Sequence, residues 1–120
     1  MTKPLAVITG ASSGIGEATA KAFSEAGYPT LLLARRVEIM ESFNLKNSIC
    51  KKVDVRDRDA LVSAVREAEA IYGPTDMMFN NAGVARLADI STQDPNEWDE
   101  MIDVNTKGVM NGIYAVMSDM

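Results

Sequence analysis

The sequence predicts an α/β fold built on a doubly wound parallel sheet, and three observations carry that expectation. Short apolar runs alternate with amphipathic helical patterns along the whole chain, which is the mark of successive β-α-β units. Runs such as Pro29-Thr-Leu-Leu-Leu-Ala34 are continuously apolar rather than alternating, so they suit strands covered on both faces. Gly10, Arg35, Asp54 and Asn81 each fall just past the end of such a run. A parallel sheet gathers those strand ends along one edge, the edge where ligands bind in open α/β sheets.

The elements follow in order. Leu5-Ala-Val-Ile8 reads as a buried first strand that breaks at Thr9-Gly10. A helix is expected from about Gly14 to Ala26, with Ile15, Ala18, Ala22, Phe23 and Ala26 at helical spacing and Gly27 in a left-handed C-terminal position. Pro29–Ala34 is the second strand, closed by Arg35-Arg36. Val37–Phe43 is a short helix and Asn44–Asn47 a polar turn. Ser48–Val53 is the third strand, and its mixed polarity places it nearer an edge. Asp57 is a good N-cap, with Asp59 in the first turn, for a helix over Arg58–Tyr72 that Gly73-Pro74 stops. Asp76–Phe79 is the fourth strand, ending at Asn80-Asn81-Ala82-Gly83. A loop through Asp89 leads to Ser91 and Thr92. A last helix starts near Pro95, a residue suited to a first turn, with Trp98, Ile102, Asn105, Val109, Gly112/Ile113 and Val116/Met117 on one stripe. The expected architecture is a right-handed, Rossmann-like, three-layer α/β/α sheet of order 3-2-1-4, forming a single domain over residues 1–120 and truncated after about four strands.

Composition narrows the class of function. The chain has 120 residues, 47% of them apolar, and a net charge of −5. That charge argues against a general nucleic-acid or membrane surface. No run is long enough to span a bilayer, and Leu5–Ile8 is too short for a signal-peptide core. One cysteine, Cys50, allows no internal disulfide, so a cytoplasmic setting is expected. With no histidine and one cysteine, no metal site is expected.

The first strand, the glycine turn and the helix start form the arrangement that cradles a phosphate. Free N–H groups of the first helical turn point at the anion, and the helix dipole favours negative charge there. The spacing is Gly10-x-x-x-Gly14-x-Gly16 rather than G-x-G-x-x-G, and three glycines after a strand also suit a plain flexible turn. At the end of the second strand, where a carboxylate would hold a ribose 2′-hydroxyl, stand Arg35 and Arg36. A guanidinium fork suits a 2′-phosphate, favouring NADP(H) over NAD(H); the alternative is a solvated arginine pair. Asp54 with Val55 could hold an adenine amino group and ring face, or Asp54 could cap a loop. Asn105 is polar on an apolar stripe, either a core amide satisfied by backbone or a site amide that orders a water.

The string Thr9-Gly10-Ala-Ser-Ser-Gly14-Ile-Gly16, with Arg35, Asp54-Val55, Asn80-Asn81-Ala82-Gly83 and Asn105, resembles the N-terminal half of the short-chain dehydrogenase/reductase family along residues 5–120. The resemblance implies hydride transfer between NAD(P)(H) and a carbonyl/alcohol pair. It implies cofactor contacts from Gly10, Ala11, Ser12, Ser13, Gly14, Ile15, Gly16, Arg35, Arg36, Asp54, Val55, Asn81, Ala82 and Gly83. Asn81 would meet the ribose, Asn105 would be the catalytic asparagine, and Asn80 would brace the loop with Thr9. The family's Tyr-x-x-x-Lys is missing: Tyr28, Tyr72 and Tyr114 have Leu32, Asp76 and Ser118 four residues on. The chain therefore reads as the cofactor-binding half of an enzyme, inactive alone, with a nucleotide-binding or interaction module without catalysis as the alternative. Self-association is expected through the last helix, a face the family commonly uses in dimers, in preference to the edge of the fourth strand. The substrate is not readable.

Overall fold

The computed structural model describes residues 3–84, 89, 91–118 and 120. Four parallel strands, β1 (Leu5–Thr9), β2 (Thr30–Ala34), β3 (Ser48–Lys52) and β4 (Thr75–Phe79), form a sheet of order β3-β2-β1-β4. The expected order holds, with β3 at an edge. Val7 sits between Leu31 and Met78 in the ladders. Every residue of β1 and β2 is buried, which is why both read as unbroken apolar runs.

Successive residues of these strands point to opposite faces. Leu5, Val7, Leu31 and Leu33 meet Leu61, Val65 and Ala68 of α3 (Arg58–Tyr72) and Ala115 and Val116 of α5 (Gly108–Val116). Ile8 and Leu32 meet Ala20 of α1 (Gly14–Glu25) and Met40 of α2 (Val37–Glu41) on the other face. Thus one sheet is covered on both sides, as a doubly wound fold requires.

Helix ends follow their sequence signals. Asp57 caps α3 by accepting from the N–H of Ala60 at 3.1 Å. After α1, Gly27 adopts φ 92°; its N–H donates to Ser24 O and that of Tyr28 to Phe23 O, a Schellman ending. Asp94 caps α4 (Pro95–Ile102), and Pro95 lies in its first turn.

Two expectations are corrected. In α1 the buried residues are Gly16 and Ala20, while Ile15 is 77% exposed. The fully buried positions are small because this helix lies tight against β1, and Phe23 of the expected row packs edge-on against Phe79 of β4 at 5.1 Å. The last helix is not one regular stripe either. Between α4 and α5, Asp103–Lys107 form a π-helical turn, which holds more residues than an α-turn and so changes the phase of the pattern. Gly112 and Val116 of the expected row are buried, while the other buried residues, Val104, Gly108, Asn111 and Ala115, lie one position before it. Ile102 and Met117, expected inside, are 60% and 64% exposed. Of the expected loop after Gly83, residues 85–88 and 90 lie outside the described residues. Among the described residues, no helix is long and apolar enough to cross a membrane.

Candidate functional site: a cleft at the strand ends

The C-terminal ends of the strands surround one open cleft. Gly10, Ser12 and Ser13 of the first turn, Arg35 and Arg36 after β2, Asp54 and Val55 after β3, and Asn81, Ala82 and Gly83 after β4 all line it. The four strand-end signals thus meet at one place, beside the switch point between β1 and β4. Leu33, Ala34, Val53, Val84 and Val104 also contribute walls that motif reading did not single out.

Thr9 stitches the floor together. Its buried hydroxyl donates to Phe79 O at 3.3 Å and accepts from the N–H groups of Asn81 and Ala82, both at 3.0 Å. One donor and two acceptor positions are all a hydroxyl has, so Thr9 is fully used. The expected Thr9–Asn80 brace is therefore replaced by main-chain contacts to the residues on either side of Asn80. Asn80 Oδ1 is instead buried against Gly112 with no hydrogen-bond partner among the described residues. Asn81 Nδ2 donates to Gly10 O at 3.3 Å, which locks the end of β4 to the glycine turn.

Close approach explains two of the glycines. A Cβ at Gly10 would lie 2.9 Å from Ala82 Cα, and one at Gly16 would overlap Gly10 O and sit 2.7 Å from Asn81 Nδ2. Gly14 has φ 57° but open space where a Cβ would go. Ala11 is fully buried, with its N–H on Leu33 O at 3.3 Å, so it ties the turn to β2 rather than facing the cleft. Ile15 is exposed at the start of α1. Ser13 occupies the N-cap of α1 but makes no side-chain cap bond to the first turn beside the cleft.

Arg35 and Arg36 are both exposed on the cleft wall. Asp54 is engaged by Arg56: Oδ1 accepts from the N–H and Nε of Arg56, both at 3.0 Å, and Oδ2 from Nη2 at 2.6 Å. The Arg56 guanidinium holds the Asp54 carboxyl below the usual carboxylate range, with Arg35 adding attraction. Arg35 and Arg36 thus stand on the cleft beside the Asp54–Arg56 ion pair, and Glu100 and Asp103 act on Arg56 from the other side. Asp54 does cap its own loop, since it accepts the N–H two residues on.

Asn105 is exposed, so it is not a core amide, but it is satisfied by backbone as that alternative had it. Its Oδ1 accepts from Val84 N and its Nδ2 donates to Val84 O, both at 2.8 Å. One N–H and one oxygen lone pair are left over. The buried amide of this helix is Asn111, which sequence reading missed. It shares the Val104, Gly108, Ala115 row, a row of mostly small residues that a search for large apolar side chains passes over. On β3, burial pushes the half-buried Cys50 thiol up, which disfavours the thiolate.

A parallel 3-2-1-4 sheet with a glycine turn at its switch point is the arrangement of a Rossmann-type fold. The sequence matches the short chain dehydrogenase family over residues 4–120, and the chain belongs to that family. It is 44% identical over 117 residues to an uncharacterized oxidoreductase of Listeria monocytogenes, covering 92% of this chain and 47% of that protein. It is 36% identical over 118 residues to an acetoacetyl-CoA reductase of Paracoccus denitrificans, covering 97% of this chain and 49% of that one. The fold superposes with a TM-score of 0.89, at 30% identity, on an alcohol dehydrogenase from the archaeon Thermococcus sibiricus complexed with 5-hydroxy-NADP, covering 97% of this chain and 52% of that one. The chain spans about half the length of these relatives.

Proposed function

We propose that this chain is the cofactor-binding part, a single domain, of an NADP(H)-dependent oxidoreductase acting on a carbonyl/alcohol pair. The observation that carries the cofactor choice is the pair Arg35 and Arg36, on the same cleft as the glycine turn, at the strand end where an NAD site carries a carboxylate. The residues fit the nucleotide at both ends. Ser12, Ser13, Gly14, Ile15 and Gly16 offer the start of α1, without a side-chain cap of its own, to a pyrophosphate. The Gly14 side is open, so a phosphate can approach its backbone. Arg35 and Arg36 would take the 2′-phosphate. Val55 would face the adenine, and Asp54 would have to share its carboxylate with Arg56. Asn81, Ala82 and Gly83 would meet the ribose on the nicotinamide side. The complex of the Thermococcus sibiricus relative supports the same reading.

When bound, the nicotinamide would supply or accept the hydride. Asn105 would do its part through the hydrogen-bonding capacity it keeps after pinning Val84, by holding a water. No tyrosine in this sequence has a lysine four residues on, so the 120-residue chain should bind nucleotide and leave carbonyl substrates unchanged. Trp98, Ile102, Met110, Ile113, Tyr114 and Met117 leave an apolar face on α4 and α5 exposed, which suits association with a second copy. A cytoplasmic setting completes the reading.

Calorimetric titration of the purified chain with NADP and NAD tests the cofactor choice. Tighter binding of NADP is expected, and equal affinities would overturn it. Robust NADPH oxidation by a sample free of host enzymes would overturn the expected inactivity.

A further inference from the structure

We propose that Asn111, together with Gly108, is a positioning residue for the adenine end of the cleft: it holds the Val55 wall in place from the side away from the ligand. The inference rests on the nucleotide-binding reading above and adds a residue that touches no ligand. Asn111 is 1% exposed. Its Nδ2 donates to the carbonyl oxygen of Val55 at 2.8 Å, and its Oδ1 accepts from Arg58 Nε at 3.0 Å. The amide therefore bridges α5, the first residue of α3, and the backbone of a cleft-lining residue. Gly108 supports the same wall by contact. A Cβ there would lie 2.5 Å from Val55 Cγ2 and 3.1 Å from Val55 Cβ. Val55 itself is 7% exposed and lines the cleft.

The same stretch of helix holds the opposite wall. Asn105 pins Val84, and Val104 lines the cleft between them. Both walls thus hang from residues 104–111, and the π-helical turn, Asp103–Lys107, overlaps that stretch. A buried amide that merely joined α3 to α5 would have no reason to select the Val55 carbonyl, nor would Gly108 be needed opposite the Val55 side chain.

The test measures binding of adenosine 2′,5′-bisphosphate, a probe that lacks the nicotinamide half, by calorimetry, and amide hydrogen exchange over residues 53–57. Asn111→Asp keeps an acceptor for Arg58 but cannot donate to Val55 O when ionised. It should weaken the probe about tenfold, the loss of one hydrogen bond, and speed exchange over 53–57. Gly108→Ala should weaken the probe similarly, and should cost less when Val55 is already alanine than in the parent chain, because removing the two methyl groups makes room for the new one. A merely structural role would lower the thermal midpoint without that difference in probe affinity. Unchanged probe affinity in a folded Asn111→Asp chain, or an equal cost of Gly108→Ala in the parent and Val55→Ala backgrounds, would overturn the proposal. If the parent chain binds no probe, the nucleotide reading fails by itself. Exchange over 53–57 then decides: faster in Asn111→Asp supports the positioning role, unchanged refutes it.

Discussion

Helices α1 and α3 both start just past a strand end on the same edge of the sheet, yet their first turns are completed differently. Helix α3 is closed by its own sequence: Asp57 accepts from the N–H of Ala60, and Asp59 adds negative charge to the first turn. At the start of α1, Ser13 stands at the cap position and makes no such bond, while Ser12 and Ser13 line the cleft. Serine and aspartate are both good capping residues, so residue type does not explain the contrast. What differs is the approach. The α3 end is reached by a loop that folds onto itself through Asp54 and Asp57. The α1 end is reached by a turn pressed against β4, where Gly10 and Gly16 admit the neighbouring backbone and Asn81. A helix end that satisfies itself is scaffold, and one that does not is available to an anion.

The largest way to break this contrast is Gly16→Ala. The new methyl would overlap Gly10 O, so overpacking should cost about 1–3 kcal/mol, read as a lower urea midpoint, and NADP binding should fall with it. Next comes Arg35→Asp across the cleft. Losing a charge-assisted contact of roughly 1.5–3 kcal/mol should weaken NADP about 10- to 100-fold in a titration and NAD far less. Equal losses for both nucleotides would make Arg35 a surface charge.

Asp57→Ala sharpens the comparison from the other side. It should lower stability by about 1 kcal/mol in urea denaturation and leave NADP affinity unchanged. Ser13→Ala should do the reverse, with stability moving by less than about 0.5 kcal/mol. The smallest effect concerns Asp54. Its pKa is depressed in the folded chain by Arg56, so its contribution is fully present above the unfolded value and is lost as pH falls through the folded one. The pair is partly solvated, so less than about 1 kcal/mol is at stake. Urea midpoints followed downward from pH 5 should fall less steeply in Asp54→Asn than in the parent chain.

Much of this protein was determined by the sequence alone. Continuous apolar runs specified buried parallel strands, and their alternation with helices specified the 3-2-1-4 order, because short right-handed connections leave few alternatives. Strand-end residues Gly10, Arg35, Asp54 and Asn81 could be assigned to one cleft from topology, since a parallel sheet brings those ends together whatever the side chains do. Asp57 and Gly27 marked helix ends through purely local bonds. Tertiary structure decided what local pattern cannot encode. The buried rows of α1 and α5 are made mostly of small residues, so the larger Ile15, Ile102 and Met117 drew the expected stripes off centre. Their phase depends on how closely each helix approaches the sheet and on a π-helical turn, and neither leaves a periodic signal. Thr9, Asn105 and Asn111 could be noticed as polar residues, but their partners Ala82, Val84 and Val55 are main-chain groups distant in sequence. A main-chain donor or acceptor is the same at every position, so only the fold could say which one each side chain meets.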